Sequence, residues 1–363
     1  MNSFKILEER KVIKLFSPYI EKEEINAVSR VLRSGWWTQG TYVREFEREF
    51  AKYVEVKHAV AVNSGTSALF LALKYFHPRG WEVLTPSLTF VSPVHSILQL
   101  GGKPVFVDVN EETLTVDVED LKQKLTSRCK IVMPMHFGGY PCDMDAITDL
   151  AEDHRFVVLG DCAHACGSTY KDRKLGSLSD VSCFSFHPVK NLSMPNGGAV
   201  TTDNAELADF VKLHRNFGRT GSGVGYDVVA EGYNMYLTDV SAAIGLQQLK
   251  KLDKMNERRR KIAKIYHENL KEFERMPFNP ECCYHLYWIR VKNRDDFIKY
   301  MRDHGVEVGL HYVPVHRFTF YKKYSTSLPT TNMVANEIAT LPTHCNLTEK
   351  ELLTITELVS RWK

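Results

Sequence analysis

The amino-acid sequence predicts an α/β protein, with a mostly parallel sheet in a large first domain and a smaller α+β domain after it. Two observations carry this prediction. From about residue 21 to residue 218, short β-branched runs alternate with helical patterns. After Thr238 a long helical pattern gives way to a shorter mixed region. Because 363 residues with 44% apolar content can fill two cores, we divide the chain into domains at 1–250 and 251–363.

Seven β-branched runs in the first domain are predicted strands. They lie at residues 58–62, 82–84, 104–108, 130–133, 156–159, 181–186 and 198–201. Helical spacing predicts a helix through Ile25, Val28, Val31 and Leu32, and two more at 66–75 and 144–153. In the second domain we expect strands at 286–291 and 308–312 and helices at 295–303 and 349–361.

The charge balance excludes a strong field toward nucleic acid or a membrane. Lysine and arginine together exceed aspartate and glutamate by only three charges. A basic stretch at 250–264 has Leu252, Met255 and Ile262 interleaved at helical spacing, which favours a solvated helix face. No run is long and apolar enough to cross a bilayer.

The cellular compartment is predicted from the amino terminus and the cysteines. Charged residues interrupt every short apolar stretch of the first sixteen residues, which is not the pattern of a secretory signal. The eight cysteines are scattered without the density of a disulfide framework, which indicates reduced thiols. We therefore expect a cytoplasmic protein.

Lys190 follows a predicted strand and a proline, in the segment CFSFHPVKNLSMPNGGAV. A lysine there is usually only solvated. Gly197 and Gly198, however, allow the backbone to approach a ligand closely. A lysine beside a buried cofactor is partly desolvated and loses its proton more readily, which makes it a nucleophile and a base.

Asp161 ends the strand of the segment VVLGDCAHACG. Such an aspartate is often a helix cap, but it can also keep a cofactor's pyridine nitrogen protonated, so that the ring absorbs electrons. His164 could then hydrogen-bond the ring substituents. The spacing of Cys162, His164 and Cys166 differs from that of zinc ligands, so we expect no metal.

A strand-to-helix turn at Asn63-Ser64-Gly65 is a candidate phosphate site. Free backbone N–H groups and the positive end of a helix meet there, with the hydroxyls of Thr66 and Ser67 beside them. Ser185 is a second possible phosphate donor. The pattern is weak by itself, because many such turns use glycine and threonine without binding phosphate.

Phe90 lies where another strand gives way to a helix, in the segment TPSLTFVSPVHSI. Such a phenylalanine is either a core residue or a ring that stacks on a cofactor.

Taken together, these segments resemble the DegT/StrS sugar-aminotransferase family within the aspartate-aminotransferase-like fold. The resemblance covers nearly the whole chain. Its motifs, in order, are SGWWTQG, NSGTSAL, PSLTFVSP, KPVFVDV, HFGGYPCDMD, DCAHACG, SFHPVKN, GYNMYLTDVSAAIGLQQL and HYVPVH. Each motif alone is weak, but their joint occurrence in the family's order is specific.

The resemblance implies pyridoxal 5'-phosphate as cofactor, with Lys190 as the Schiff-base lysine and Asp161 paired with the pyridinium nitrogen. It implies roles for the other residues as well. His164 would contact the cofactor, Phe90 would stack on its ring, and Gly65, Thr66, Ser67 and Ser185 would hold its phosphate, with Asn234 reaching it from the second subunit of a homodimer. Trp37, His187, Tyr312 and His316 would lie near the substrate.

The implied reaction moves an amino group from L-glutamate to a nucleotide-linked keto-deoxysugar with its ketone at position 3 or 4. Gly160 and Asn196 replace acidic residues that the family often has, and we expect these two changes to affect which sugar is bound rather than the chemistry. A cofactor-dependent sugar dehydratase of the same family is an alternative, but a histidine replaces the lysine in that branch. A non-catalytic regulatory or binding protein is another, but it would be expected to lose Lys190, Asp161 or the phosphate turn.

Overall fold

The computed structural model describes residues 12–221 and 225–362. Its strands are β1 His58–Val62, β2 Glu82–Pro86, β3 Lys103–Val107, β4 Cys129–Val132, β5 Val157–Asp161, β6 Thr169–Tyr170, β7 Arg173–Lys174, β8 Val181–Ser185, β9 Gly198–Thr202, β10 Arg219–Thr220, β11 Asp227–Val228, β12 Tyr287–Arg290 and β13 Ile338–Leu341. Residues 1–11 lie outside the described ranges. They make up most of the amino-terminal segment from which we expect no secretory signal.

The α-helices of the described ranges surround these strands. They are α1 Lys22–Ser34, α2 Thr41–Val54, α3 Gly65–Tyr75, α4 Ser92–Gln99, α5 Val118–Lys124, α6 Met144–His154, α7 Ala205–His214, α8 Asp239–Asn269, α9 Arg294–Asp303, α10 Pro329–Glu337 and α11 Glu349–Arg361. The five helices predicted with bounds or spacing in the two domains are present as α1, α3, α6, α9 and α11.

The central sheet has seven strands in the order β1-β9-β8-β5-β4-β2-β3. Strands β3, β2, β4, β5 and β8 pair in parallel, whereas β9 is antiparallel to both β8 and β1. The prediction of a mostly parallel sheet is therefore confirmed. Since ligands of such sheets bind beyond the carboxyl ends of the strands, the segments after β2, β5 and β8 are the ones that matter for function.

Apolar layers cover both faces of this sheet. On one face, Phe46 and Phe50 of α2 meet Phe184 and Phe186, with the centroids of contacting rings 5.1 to 5.5 Å apart. On the other face, α3 and α7 contribute buried side chains such as Leu71. Two-sided burial explains why the strands are continuous β-branched runs rather than alternating ones.

One strand prediction is wrong. The segment 308–312 forms only an isolated bridge, between Gly309 and Thr340. The edge of β12 is instead occupied by β13, which pairs with it over four residues in an antiparallel register. Strand β13 was not predicted, because its four residues directly follow α10 and are too few to distinguish a strand from the end of a helix.

Helix α8 links two apolar cores. Its first half packs into the core around the sheet through Leu246, Leu252 and Met255. Its second half, with Ile262 and Tyr266, belongs to a second core that also contains β12 and β13. The proposed domain boundary at 250/251 falls inside this continuous helix, so the helix is shared by both predicted domains.

Four of the eight basic residues at 250–264 on α8 form ion pairs. Lys251 pairs with the buried Glu24 on α1, and Arg258 pairs with Glu349 on α11. The basic stretch is not solvated throughout, because Arg259 is buried. Within the described ranges, no helix is both long and apolar enough to span a bilayer.

Candidate active site

A cavity of about 400 Å³ opens beyond the carboxyl ends of β2, β5 and β8. Residues from the large sheet domain form most of its wall, and Tyr312 reaches it from the second core. Its lining residues are Ser64, Gly65, Thr66, Leu69, Thr89, Phe90, Ser92, Pro93, Met135, Asp161, Ala163, His164, Ser185, His187, Val189, Lys190, Asn196 and Tyr312. Its size is that of a pocket for a small organic molecule.

Lys190 lies in a turn just after β8, where its backbone N–H donates to the His187 carbonyl at 2.8 Å. Its side chain is half-buried and its Nζ lies 3.4 Å from Nε2 of His285. Burial lowers the pKa of Lys190 to about 8, and the carboxylate of Asp161 opposes this shift only in part. About a tenth of such amines are neutral at pH 7, compared with fewer than about one in a thousand for an ordinary lysine.

Asp161 ends β5 and is 3% exposed. Its Oδ1 accepts the backbone N–H of Ala163 at 3.0 Å. Burial raises the pKa of this carboxyl to about 6, against the effects of that hydrogen bond and of Lys190. The group is therefore mostly ionised at neutral pH, and a buried carboxylate of this kind is stabilised by a cationic partner in the cavity.

His164 follows β5 and is held by two hydrogen bonds. Its Nδ1 accepts the backbone N–H of Gly138 at 3.3 Å, and its Nε2 lies 3.0 Å from the hydroxyl of Tyr312. Burial lowers the pKa of His164 well below its usual range, and Lys190 lowers it further. The ring is therefore neutral, with its proton on Nε2, where it donates to Tyr312.

The predicted phosphate turn lies at the start of α3. Ser64 caps this helix by accepting the backbone N–H of Ser67 at 3.1 Å. A Cβ on Gly65 would lie 2.7 Å from the Cβ of Ser185, so only glycine allows the turn and the end of β8 to come this close. Gly65 and Thr66 at the amino-terminal end of α3 and Ser185 at the end of β8 thus line the same cavity.

Phe90 lines the cavity with 57% of its surface exposed, which is unusual for so large an apolar ring. Its centroid is 6.2 Å from that of Tyr312. Its position is therefore not that of a core residue, but that of a ring available to stack on a ligand.

The structure brings nine of the predicted site residues to the cavity wall: Gly65, Thr66, Phe90, Asp161, His164, Ser185, His187, Lys190 and Tyr312. Four others lie elsewhere. The Ser67 hydroxyl donates to Oδ1 of Asn63 at 2.6 Å, beside the turn rather than in the cavity. His316 is buried, with Nδ1 bonded to Ser87 at 2.7 Å and Nε2 near Asn332.

Trp37 and Asn234 are exposed on the surface of the chain. The indole of Trp37 donates to the carbonyl of Leu32 at 3.1 Å. The backbone carbonyl of Asn234 accepts from the Asn63 amide at 3.2 Å, whereas its side chain is not part of this chain's cavity wall. The role implied for Asn234 in a neighbouring subunit remains a prediction.

Thr89 on the cavity wall and His285 beside Lys190 were not predicted from the sequence. His285 lies 95 residues after Lys190, so spacing gave no signal for their contact. Thr89 precedes Phe90, and its hydroxyl is buried without a hydrogen-bond partner among the described residues. Because Thr89 lines the cavity, its unpartnered hydroxyl is a signal for a polar ligand group, and only the three-dimensional structure provides that signal.

Pyridoxal phosphate fits this set of residues. Lys190 offers a partly neutral amine, Asp161 a buried carboxylate for a pyridinium nitrogen, and Phe90 an exposed ring. The close approach of Gly65 and Ser185 forms a cradle for the phosphate. Among the described residues, no three metal-ligating side chains are grouped to hold an ion, and the Cys162–His164–Cys166 segment contributes its histidine to the Tyr312 contact instead.

Comparison with known proteins agrees with this geometry. The spore coat polysaccharide biosynthesis protein SpsC of Bacillus subtilis is 42% identical over 330 residues, which cover 84% of each chain. The putative sugar aminotransferase Spr1654 of Streptococcus pneumoniae, solved in a PMP form and a PLP form, superposes with a TM-score of 0.92 at 30% identity. In its PMP form the match covers 96% of both chains.

Helicobacter pylori PseC, an aminotransferase involved in the biosynthesis of pseudoaminic acid, superposes with a TM-score of 0.92 at 28% identity. This match covers 96% of the present chain and 98% of PseC. The model of the DegT/DnrJ/EryC1/StrS aminotransferase family matches residues 18–360. The chain therefore belongs to that family, and it is a pyridoxal-phosphate-dependent aminotransferase of fold type I.

Proposed function

We propose that this enzyme transfers an amino group from L-glutamate to a nucleotide-linked keto-deoxysugar with its ketone at position 3 or 4. The observation that carries the proposal is Lys190 in the cavity, with a pKa of about 8 and the buried Asp161 on the same wall. An amine that exchanges its proton near neutral pH can serve first as a base and then as an acid. Amino transfer needs both roles.

Bound pyridoxal phosphate supplies the electron sink for the reaction. The chain's own residues supply the proton movements. Lys190 Nζ would take the proton from the α-carbon of the amino donor as a base and would then release it as an acid on the other side of the transferred nitrogen. Asp161 would keep the ring nitrogen protonated, because a positive charge beside it stabilises its buried carboxylate.

The remaining wall residues hold and orient the cofactor. The first turn of α3 and Ser185 would hold its phosphate, and Phe90 would cover one face of its ring. The backbone N–H of Gly138 holds His164 in place, and the Tyr312 hydroxyl accepts the Nε2 proton of His164. The proton of the Tyr312 hydroxyl is then available to a ligand oxygen. The raised pKa of Tyr312, caused by burial, keeps that hydroxyl protonated.

A homodimer with a shared site is part of the proposal. Asn234 is exposed, and its backbone carbonyl accepts from the Asn63 amide of the phosphate turn in its own chain. The residue therefore lies at the surface beside that turn. Trp36 and Trp37 are 61% and 55% exposed, and such neighbouring indoles are typical of residues that a second subunit covers. Asn234 of the partner subunit would then reach the phosphate.

The substrate would approach the open side of the cavity. His187 is exposed at the wall close to Lys190, and burial together with Lys190 lowers its pKa. A neutral imidazole there can hydrogen-bond a sugar hydroxyl or carbonyl. The nucleotide would extend beyond the cavity, whose volume of about 400 Å³ leaves little room for more than the cofactor and one sugar ring.

The proposal is tested by incubating the enzyme with L-glutamate and a panel of dTDP-, UDP- and GDP-linked 3-keto and 4-keto sugars. We expect 2-oxoglutarate and one amino-sugar nucleotide to form in equal amounts, as measured by mass spectrometry. L-Glutamine in place of glutamate checks the donor. A product that has lost a hydroxyl group without gaining nitrogen would show deoxygenation instead, and absence of any product from the whole panel would contradict the substrate class.

A further inference from the structure

His285 lies behind Lys190, outside the lining of the cavity, and is 2% exposed. Its Nε2 is 3.4 Å from the Lys190 Nζ. Its ring is fixed between Phe16, which stacks on it at 5.7 Å and 16°, and His164, whose centroid is 4.4 Å away. The ring position is therefore set by packing on both sides, independently of Lys190.

Among the described residues, these two side chains form a hydrogen bond only with each other. The Nδ1 of His285 has no hydrogen-bond partner within residues 12–221 and 225–362. For the Lys190 Nζ, the contact with His285 is likewise its one hydrogen bond in those ranges. Since an imidazole is costly to bury and most buried polar side chains are hydrogen-bonded, a histidine rather than an apolar ring at this place indicates a role for its contact with the lysine.

The direction of this hydrogen bond follows from the protonation states. Burial lowers the pKa of His285 well below its usual range, and Lys190 adds to the effect, so the imidazole is neutral. Lys190 is mostly an ammonium group below its pKa of about 8 and then has no lone pair. The lysine must therefore be the donor, and the Nε2 of His285 must be the acceptor.

We propose that His285 is a positioning residue for Lys190. Its Nε2 accepts an N–H of the lysine amine, and this directs the lone pair of the neutral amine toward the cavity. The inference rests on the proposed amino transfer, in which Lys190 must carry a proton between two carbons. Each time the lysine is released from the cofactor, its amine returns to the fixed imidazole. The lysine thereby loses less rotational freedom when it acts as a base.

Other ionisable groups around the pair act on it in different ways. They are Asp161, His164, His187, Cys283, His311 and Arg259. Asp161 and Cys283 raise the pKa of Lys190, whereas burial lowers it. Of these groups, none has a hydrogen bond to the Lys190 Nζ among the described residues, so none replaces His285 as an acceptor.

The test measures the pKa of Lys190 in cofactor-free full-length protein, from the pH dependence of its reaction with an amine reagent, read by peptide mass spectrometry. His285→Phe keeps an aromatic ring between Phe16 and His164 but removes the acceptor. We expect this variant to lower the pKa of Lys190 by about one unit, since a hydrogen bond to a charged group is lost. His285→Gln keeps an acceptor oxygen and should stay within about 0.3 units of the wild type.

The matched control is His214→Phe, which makes the same change at a buried histidine stacked on Phe210, outside the cavity wall. It should leave the pKa of Lys190 unchanged. If His285→Phe does not fold, His285→Leu carries the same expectation. An unchanged pKa in a folded variant that lacks the acceptor would overturn the proposal.

A second readout uses the cofactor-loaded enzyme. Deuterium on the α-carbon of L-glutamate should slow the first half-reaction more in His285→Phe than in the wild type, because proton transfer becomes more limiting. An isotope effect equal to that of the wild type would also count against the proposal. If L-glutamate does not react with wild-type enzyme, the proposed donor fails, whereas the pKa measurement still decides the role of His285.

Discussion

Replacing Lys190 with alanine is expected to lower turnover at least about a thousand-fold, because the variant loses both the nucleophile and the group that carries the proton. The fold should survive. Burial opposes the charged form of this lysine, as its lowered pKa shows, so its removal relieves a cost in the folded state. Steady-state assay of amino-sugar formation measures the loss, and circular dichroism with a thermal melt measures the fold.

Lys212→Ala is the matched control for this experiment. Lys212 is a surface residue of α7 that pairs with Asp209, and its removal should change neither turnover nor melting temperature appreciably. Turnover close to that of the wild type in Lys190→Ala would refute the mechanism. An unfolded variant would instead show that Lys190 has a structural role that its burial does not indicate.

Asp161→Asn is expected to have the second largest effect. The amide has nearly the same shape and can still accept from the Ala163 N–H, but it carries no charge to keep a ring nitrogen protonated. Loss of one member of a buried ion pair costs about 3–5 kcal/mol, which corresponds to a decrease in rate of about a hundred-fold to a few thousand-fold. The measurement is kcat at saturating substrates, together with the absorbance spectrum of the bound cofactor.

Asp209→Asn provides the surface comparison, because Asp209 is exposed on α7 and should be neutral to turnover. If Asp161→Asn binds the cofactor with an unchanged spectrum and keeps kcat within a factor of about two, the pairing of Asp161 with the ring is wrong. Weaker cofactor binding with a changed spectrum would agree with it.

The raised pKa of Asp161 also predicts how the contribution of this group to stability changes with pH. Burial raises its pKa to about 6, so in cofactor-free protein the folded state binds more protons than the unfolded state between about pH 4 and pH 6. The contribution of this group to stability therefore falls as pH rises through that window. A positively charged ring nitrogen next to the carboxylate reverses the trend, because it favours the ionised form.

Much of the cofactor side of this site followed from the sequence, since it depends on local patterns. A β-branched run ending in Asp161 and another ending just before Lys190 gave two parallel strands, and parallel strands end at the same edge of a sheet. Gly65 and Thr66 followed from a strand-to-helix turn in the same way. In each case the residue's position relative to a strand end was sufficient to predict that it lies at the site.

What the sequence did not predict depends on contacts between distant segments. His285 meets Lys190 across 95 residues, and β13 pairs with β12 from a four-residue run without a clear period. Ser67 illustrates a different limit. Its neighbour Thr66 lines the cavity, but one step further along the helix the side chain turns to Asn63, so a motif alone does not say which hydroxyl faces the ligand.

The most direct test of the account is to find which lysine holds the cofactor. Borohydride reduction of the cofactor-loaded protein fixes pyridoxal phosphate to the lysine to which it is bonded, and proteolysis with mass spectrometry identifies the peptide. The structure predicts that the added mass lies on Lys190 alone, since its amine lines the cavity and its pKa is about 8. Labelling of another lysine in the folded enzyme, with Lys190 unmodified, would contradict the central claim.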